Sequence, residues 1–235
     1  MNLPVRYLQY EFKNIFSSKS LNLDKMNIRN KGFEYLFHKF GSDKCREFTW
    51  GDRILGGHNY SPFYEKYLKR YKKKNINILE IGSLHGSSAA ALFFYFLKPK
   101  IVCADISPFF IRSFSKNIRP IYIDTQSEKV IKKVSQYLDI KFDIIIDDGS
   151  HQSKHIISSF NFLFNHLSDN GIYVVEDLQT SYQPRYGGSR FNLNKNKTSM
   201  GFLKSLADSI NYEHRDKPFF KKNTFDGCVK SISFY

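Results

Sequence analysis

Asp143–His151 reads DIIIDDGSH. Three consecutive β-branched isoleucines, Ile144 to Ile146, favour a strand buried on both faces. The Asp147-Asp148-Gly149-Ser150-His151 run that follows needs water, a metal or a charged partner. The two demands meet where a buried strand ends at a site. Two other stretches repeat the pattern: ILEIGSLHGSS from Ile78 and GIYVVEDLQTSY from Gly171.

Working outward, apolar runs alternate with helical periodicity. Strands are predicted at Asn75–Ile81, Lys100–Ile106, Pro120–Asp124, Phe142–Ile146, Gly171–Val175 and Cys228–Tyr235. Helices are predicted at Ser87–Leu97, Pro108–Asn117, Ser127–Leu138, Ser153–Leu167 and Thr198–Ile210, with earlier ones around Val5–Phe16 and Gly32–Phe40. Alternating strands and helices predict an α/β fold, a doubly wound and mostly parallel, Rossmann-like sheet with right-handed crossovers. Residues 1–70 form a predicted N-terminal helical extension that covers substrate and cofactor, and 71–235 the main domain. Tyr182–Lys197 is the predicted loop. One strand after Thr198–Ile210 leaves an open sheet edge, expected to be covered by the N-terminal segment or by another subunit of a homo-oligomer.

The 235 residues are enough for one sizeable core. No apolar run is long enough to span a membrane, and the N-terminus shows no secretory pattern. Cys45, Cys103 and Cys228 are odd in number and scattered. That argues against a disulfide framework and for a reducing, cytoplasmic location. The net charge of +14 favours phosphate-bearing partners, although a Lys-, Asn- and Ile-rich genome bias accounts for the same figure.

In such a sheet ligands bind outside the carboxyl ends of the strands. Glu80, Asp105, Asp124, Asp147, Asp148, Glu176 and Asp177 all fall at or near those ends. Carboxylates gathered there without cations would repel one another, so the rim implies a cationic ligand, a metal, or both. The first loop, Gly82-Ser-Leu-His-Gly86, lacks the G-x-G-x-x-G of dinucleotide folds and the G-K-[ST] of P-loops. An acidic residue ahead of the glycine turn disfavours a pyrophosphate. It suits the amino and sulfonium groups of S-adenosylmethionine, and Asp105 is placed to accept from ribose hydroxyls. The expected cofactor-binding set is Glu80, Gly82, Ser87, Asp105, Ser107, Asp124, Gln126 and Asp147, with Ser87 and Ser88 capping a helix. His151 and His155, at i, i+4 spacing, can bind zinc, but no third ligand of that kind stands nearby.

LEIGSLHGSS, DIIIDDGSH and YVVEDLQTSYQPRYGG resemble the sugar O-methyltransferases of the macrocin and mycinamicin type, which are class I, S-adenosylmethionine-dependent and magnesium-dependent. The upstream FGSDK (Phe40–Lys44) and HNYSPFYEKYL (His58–Leu68) also look like that family's segments. The resemblance runs from about Phe40 to Gly188. It implies that Asp148, Glu176 and Asp177 bind magnesium and that His151 is the general base.

The implied chemistry is coherent. A sugar hydroxyl is a poor nucleophile, helped by a hard cation and by a base matched to neutral pH. His155, Tyr182, Arg185 and Tyr60 are candidate substrate contacts. The expected activity is methyl transfer to a sugar hydroxyl, of a nucleotide-activated sugar in surface-glycan or capsule biosynthesis. A nucleic-acid methyltransferase would carry an extra binding module or an N-P-P-Y-type motif, and neither is visible, so nucleic acid is not the expected partner. A non-catalytic protein that keeps the fold is the other alternative.

Overall fold

The computed structural model describes residues 20–195, 197–215 and 222–235. Its centre is a sheet of five strands: β1 (Asn75–Ile81), β2 (Lys98–Asp105), β3 (Ile118–Tyr122), β4 (Phe142–Asp147) and β5 (Leu167–Val175). Their spatial order is β3-β2-β1-β4-β5, and every neighbouring pair is parallel. The chain first winds from β1 outward to β3, then returns to place β4 on the other side of β1. That reversal makes the β1/β4 crevice the topological switch point, where a doubly wound sheet binds its ligands.

Side chains alternate across the sheet. Ile78, Ile144 and Ile146 face one layer, where they pack with Phe33 and Phe37 of α1 (Phe33–Phe40), Tyr64 and Leu68 of α2 (Ser61–Leu68) and Leu92 of α3 (Ser87–Tyr95). Leu79, Ile81 and Ile145 face the other layer, against Ile131 and Val134 of α4 (Glu128–Tyr137) and Leu163 of α5 (Ser153–Leu163). This double burial is why β1 and β4 read as almost unbroken apolar runs. A third cluster joins Phe160 to Leu203 of α6 (Ser199–Ser205), Leu206 and Phe225.

The segment before β1 is more than a helical extension. Glu47–Trp50 pairs antiparallel with Arg53–Gly56 as a hairpin, and Leu21–Asn22 pairs in parallel with Ser113–Phe114. The Phe33 ring stacks on Tyr95 at 3.7 Å between centroids, which fastens this layer to α3. The predicted Val5–Phe16 helix lies outside the described residues.

Three expectations need correction. Pro108–Asn117 is not a helix: a 3₁₀ turn at Pro108–Phe110 is followed by the short strand at Ser113–Phe114. Pairing with Leu21–Asn22, remote in sequence, wins over local propensity there. Thr198–Ile210 divides at Leu206 into α6 and α7 (Ala207–Ile210). Cys228–Tyr235 forms no strand. Its apolar residues dock instead of pairing: Val229 and Ile232 pack on the third cluster, and the Tyr235 ring lies 4.4 Å from that of Phe63. Among the described residues β5 is therefore an outer strand. Arg70 and Tyr71 donate to its Asn170 carbonyl, and Lys230 donates to the Asn170 side chain at 2.8 Å. Arg70, Tyr71 and Lys230 thus meet this strand at Asn170.

Candidate active site

The strand ends at the switch point are stitched together by main-chain bonds. Asp148 N donates to Ile81 O, and Glu176 N donates to Asp147 O, both at 3.0 Å. Gly82 closes the turn after β1 with φ +83°, and a Cβ there would sit 2.1 Å from the Asp148 carbonyl oxygen. Only glycine permits both the conformation and the approach. Strand alternation then sorts the acids. Glu80 and Asp148 share the face of Ile78, Ile144 and Ile146, toward the N-terminal layer, and Glu176 meets that layer's Tyr64. Asp147 follows Ile145 to the opposite face.

The N-terminal layer supplies what the acids meet. Lys44 is 1% exposed, and its ammonium donates to Asp148 Oδ2 and, at 2.6 Å, to Glu176 Oε2. The Tyr64 hydroxyl donates to the other oxygen of Glu176. Burial opposes the charge on Lys44, but Glu176, Asp148 and Glu80 outweigh it and hold its pKa well above the ordinary value. Burial pushes Glu176 up to about 8, aided by Asp148 and opposed by Lys44. Asp148 and Glu80 are raised for the same first reason and are likewise restrained by Lys44.

Asp177 lies beside this group and is partly exposed. Its Oδ1 accepts from the Tyr60 hydroxyl at 2.8 Å and from the Gln179 amide at 3.1 Å. Burial would raise its pKa, but these bonds and the nearby His151 and His58 lower it. His151 Nε2 lies 3.6 Å from Asp177 Oδ2, and His58 Nδ1 lies 3.9 Å from Oδ1. His58 Nε2 in turn lies 3.8 Å from Asp43. His151 Nδ1 is sealed from solvent and has no hydrogen-bond partner among the described residues, so Nε2 is the nitrogen that faces the acids. Both His151 (φ +57°) and Asp177 (φ +53°) adopt left-handed backbone, which is rare outside glycine.

One donor atom each from Asp148, His151 and Asp177 lies within 4.8 Å of the others. The two carboxylates suit a hard divalent cation, with the imidazole beside it. Glu176 joins them through Lys44, which touches both Glu176 and Asp148. Of the predicted metal set, Asp148 and Asp177 thus come together beside His151, whereas Glu176 stands outside that group and meets Asp148 only through Lys44.

The predicted cofactor residues line the neighbouring strand ends. Asp105 accepts from Leu84 N and Ser107 N, both at 2.8 Å, and so shapes the β1 and β2 loops around itself. Asp124 accepts from Gln126 N at 2.9 Å in the loop after β3. Ser87 opens α3, but the N-cap position falls to Gly86 and neither serine caps the helix through its side chain. Asp147 stands apart from this group: it is buried beneath the rim, and burial pushes its carboxyl up to about 7. Of the substrate candidates, Tyr60 joins the acids directly. His155 bonds Ser150 at 2.7 Å, while Arg185 and Tyr182 are exposed on the loop after β5, where Gln152 holds the Arg185 carbonyl.

Lys44 and His58 carry no role in the sequence reading. Their signal lay in the FGSDK and HNYSPFYEKYL segments, but nothing local says that these residues reach Asp148, Glu176 and Asp177.

No family model matches the chain. It is 30% identical over 212 residues to the 8-demethyl-8-alpha-L-rhamnosyl tetracenomycin-C 2'-O-methyltransferase of Streptomyces olivaceus, covering 87% of this chain and 52% of that protein. It is 32% identical over 170 residues to the mycinamicin VI 2''-O-methyltransferase of Micromonospora griseorubida, covering 68% and 41%. It is 31% identical over 168 residues to the demethylmacrocin O-methyltransferase of Streptomyces fradiae, covering 68% and 42%. The chain belongs to the macrocin- and mycinamicin-type sugar O-methyltransferase family. It spans about half the length of these relatives. The fold agrees with that of a solved family member, the MycE methyltransferase of the mycinamycin pathway in complex with Mg and SAH. The TM-score is 0.72 and the identity 28%, over 84% of this chain and 50% of that one. Among the described residues no helix is long and apolar enough to cross a membrane.

Proposed function

We propose that this chain is an S-adenosylmethionine-dependent O-methyltransferase that acts on a sugar hydroxyl with the help of a divalent cation. The observation that carries the reading is the convergence of Asp148, His151 and Asp177 at the β1/β4 switch point. Asp148, Asp177 and Glu176 would hold the cation, and the strand-end residues Glu80, Asp105 and Asp124 would border the cofactor site. When bound, a cation such as magnesium places positive charge beside the acceptor oxygen, and S-adenosylmethionine supplies the methyl group.

His151 takes the hydroxyl proton at Nε2 as the new O–CH₃ bond forms and the S–CH₃ bond breaks. Asp177 lies beside that nitrogen and stabilises the imidazolium that results. General-base help of this kind contributes on the order of 10²–10⁴ in rate. Tyr60 fixes Asp177 from the other side and borders the space open to the sugar. The charge of +14 favours a phosphate-bearing acceptor, such as a nucleotide-activated sugar used in surface-glycan assembly.

The test is transfer of a labelled methyl group, with magnesium, to a panel of free, nucleotide-linked and antibiotic-linked sugars. Transfer abolished by chelation and lowered by His151→Ala is expected. Transfer to a sugar that is indifferent to both would overturn the mechanism. Failure of S-adenosylmethionine to bind in calorimetry would overturn the activity itself.

A further inference from the structure

Lys44 is anchored through its main chain. Its carbonyl accepts from Tyr60 N at 2.7 Å and from Ser61 N at 3.0 Å, while the Asp43 and Cys45 carbonyls accept from His58 N and Asn59 N. A Cβ on Gly57 would lie 2.1 Å from the Cys45 carbonyl oxygen, so the two segments run in close apposition. From this fixed root the side chain enters the core and ends between Asp148 and Glu176, with Glu80 near enough to act on its charge. One ammonium thus stands among three carboxyl groups, of which Glu80 and Glu176 are buried and Asp148 is partly exposed.

Two of those carboxylates belong to the set assigned above to the divalent cation, and this inference rests on that assignment. An ammonium and a divalent ion seek the same oxygens of Asp148 and Glu176. Two roles are open to such a lysine. As an assembler it would hold the ligands in place and strengthen metal binding. As a competitor it would occupy their charge, and the metal would have to win the oxygens from it. Lys44 satisfies one oxygen of each residue, and Tyr64 takes the second oxygen of Glu176. A metal therefore finds both oxygens of Glu176 already engaged by hydrogen bonds while the ammonium is in place. We propose that Lys44 is the resident counter-cation of this site, which keeps the buried acids compatible with a folded, metal-free protein and yields their oxygens when the divalent ion binds.

Lys44→Met and Lys44→Gln are the test, read by calorimetric titration of magnesium and by melting temperature in chelator and in saturating magnesium. Without metal both variants are expected to melt about 10 °C below the parent, since removing one partner strands buried charge. Magnesium is expected to restore most of that loss and to bind about tenfold or more tightly. Lys44→Arg, which keeps the charge, is expected not to tighten it. Weaker magnesium binding in Lys44→Met and Lys44→Gln, or equal tightening in Lys44→Arg, would overturn the inference and leave the metal site standing. No magnesium binding by the parent protein would instead remove the metal assignment beneath it.

Discussion

The Thr180 hydroxyl lies 3.1 Å from the main-chain carbonyl of His151 and 2.7 Å from that of Asp177. Both of those residues have left-handed backbone, and one side chain ties the two together. Thr180 is thus a positioning residue for the imidazole and the acid beside it. Thr180→Val keeps the shape and removes the bond. It is expected to lower kcat by about tenfold or more, as loss of supporting bonds around a metal site commonly does. S-adenosylmethionine affinity should be unchanged. Steady-state kinetics beside calorimetry on the same preparation separates the two.

Asp148 and Asp177 differ in their surroundings. Asp148 is paired with a buried ammonium, whereas Asp177 is held by neutral donors with two imidazoles nearby. Asp177→Asn is expected to weaken magnesium binding by at least about tenfold with little change in metal-free stability. Asp148→Asn is expected to weaken it as well. It also leaves Lys44 with one less counter-charge, so metal-free stability should fall. Titration calorimetry and thermal melts together distinguish the two variants.

Gly82 allows the β1 turn to touch the end of β4. Gly82→Ala places a methyl group against the Asp148 carbonyl in a backbone conformation that L-residues avoid. A loss of about 2–4 kcal/mol is expected in urea unfolding. Magnesium affinity should drop with it, because Asp148 is the residue pushed aside.

Asp147 gives a pH signature of its own. Burial raises its carboxyl from 3.8 to about 7 in the folded protein. Between those values the folded chain keeps a proton that the unfolded chain has released, so stability falls as pH rises from about 4 to about 7. Asp147→Asn removes this contribution. It should be the more stable form at pH 8, by up to about 4 kcal/mol, with the difference vanishing below pH 4. Urea midpoints measured across that range provide the check.

The sheet was legible because its signals are local. Ile144–Ile146 and the NINILEI run announce double burial, and each is followed at once by acids that cannot be buried for nothing. The acidic rim and its histidine could be placed from those few residues. The partners of the acids could not. Lys44 reaches Asp148 and Glu176 across 104 and 132 residues, and Tyr64 reaches Glu176 across 112. A lysine in a polar loop reads as solvated until the fold buries it. The C-terminal residues misled for the opposite reason. Their alternation is that of a strand, but Val229, Ile232 and Tyr235 satisfy it by docking on side chains. At Pro108–Asn117 a distant two-residue pairing overrode the local pattern.

The long reach from Lys44 to Glu176 also bears on how the protein comes into being. Translation proceeds at roughly 5–20 residues per second, and the anionic half of the pair is made only in the last third of the chain. Until it clears the ribosome the lysine has only the earlier-made Glu80 and Asp148 as counter-charges, so the cluster around it is incomplete. The centre therefore comes together in a late step of maturation, and a ribosome stalled before residue 176 would carry a nascent polypeptide in which it cannot form.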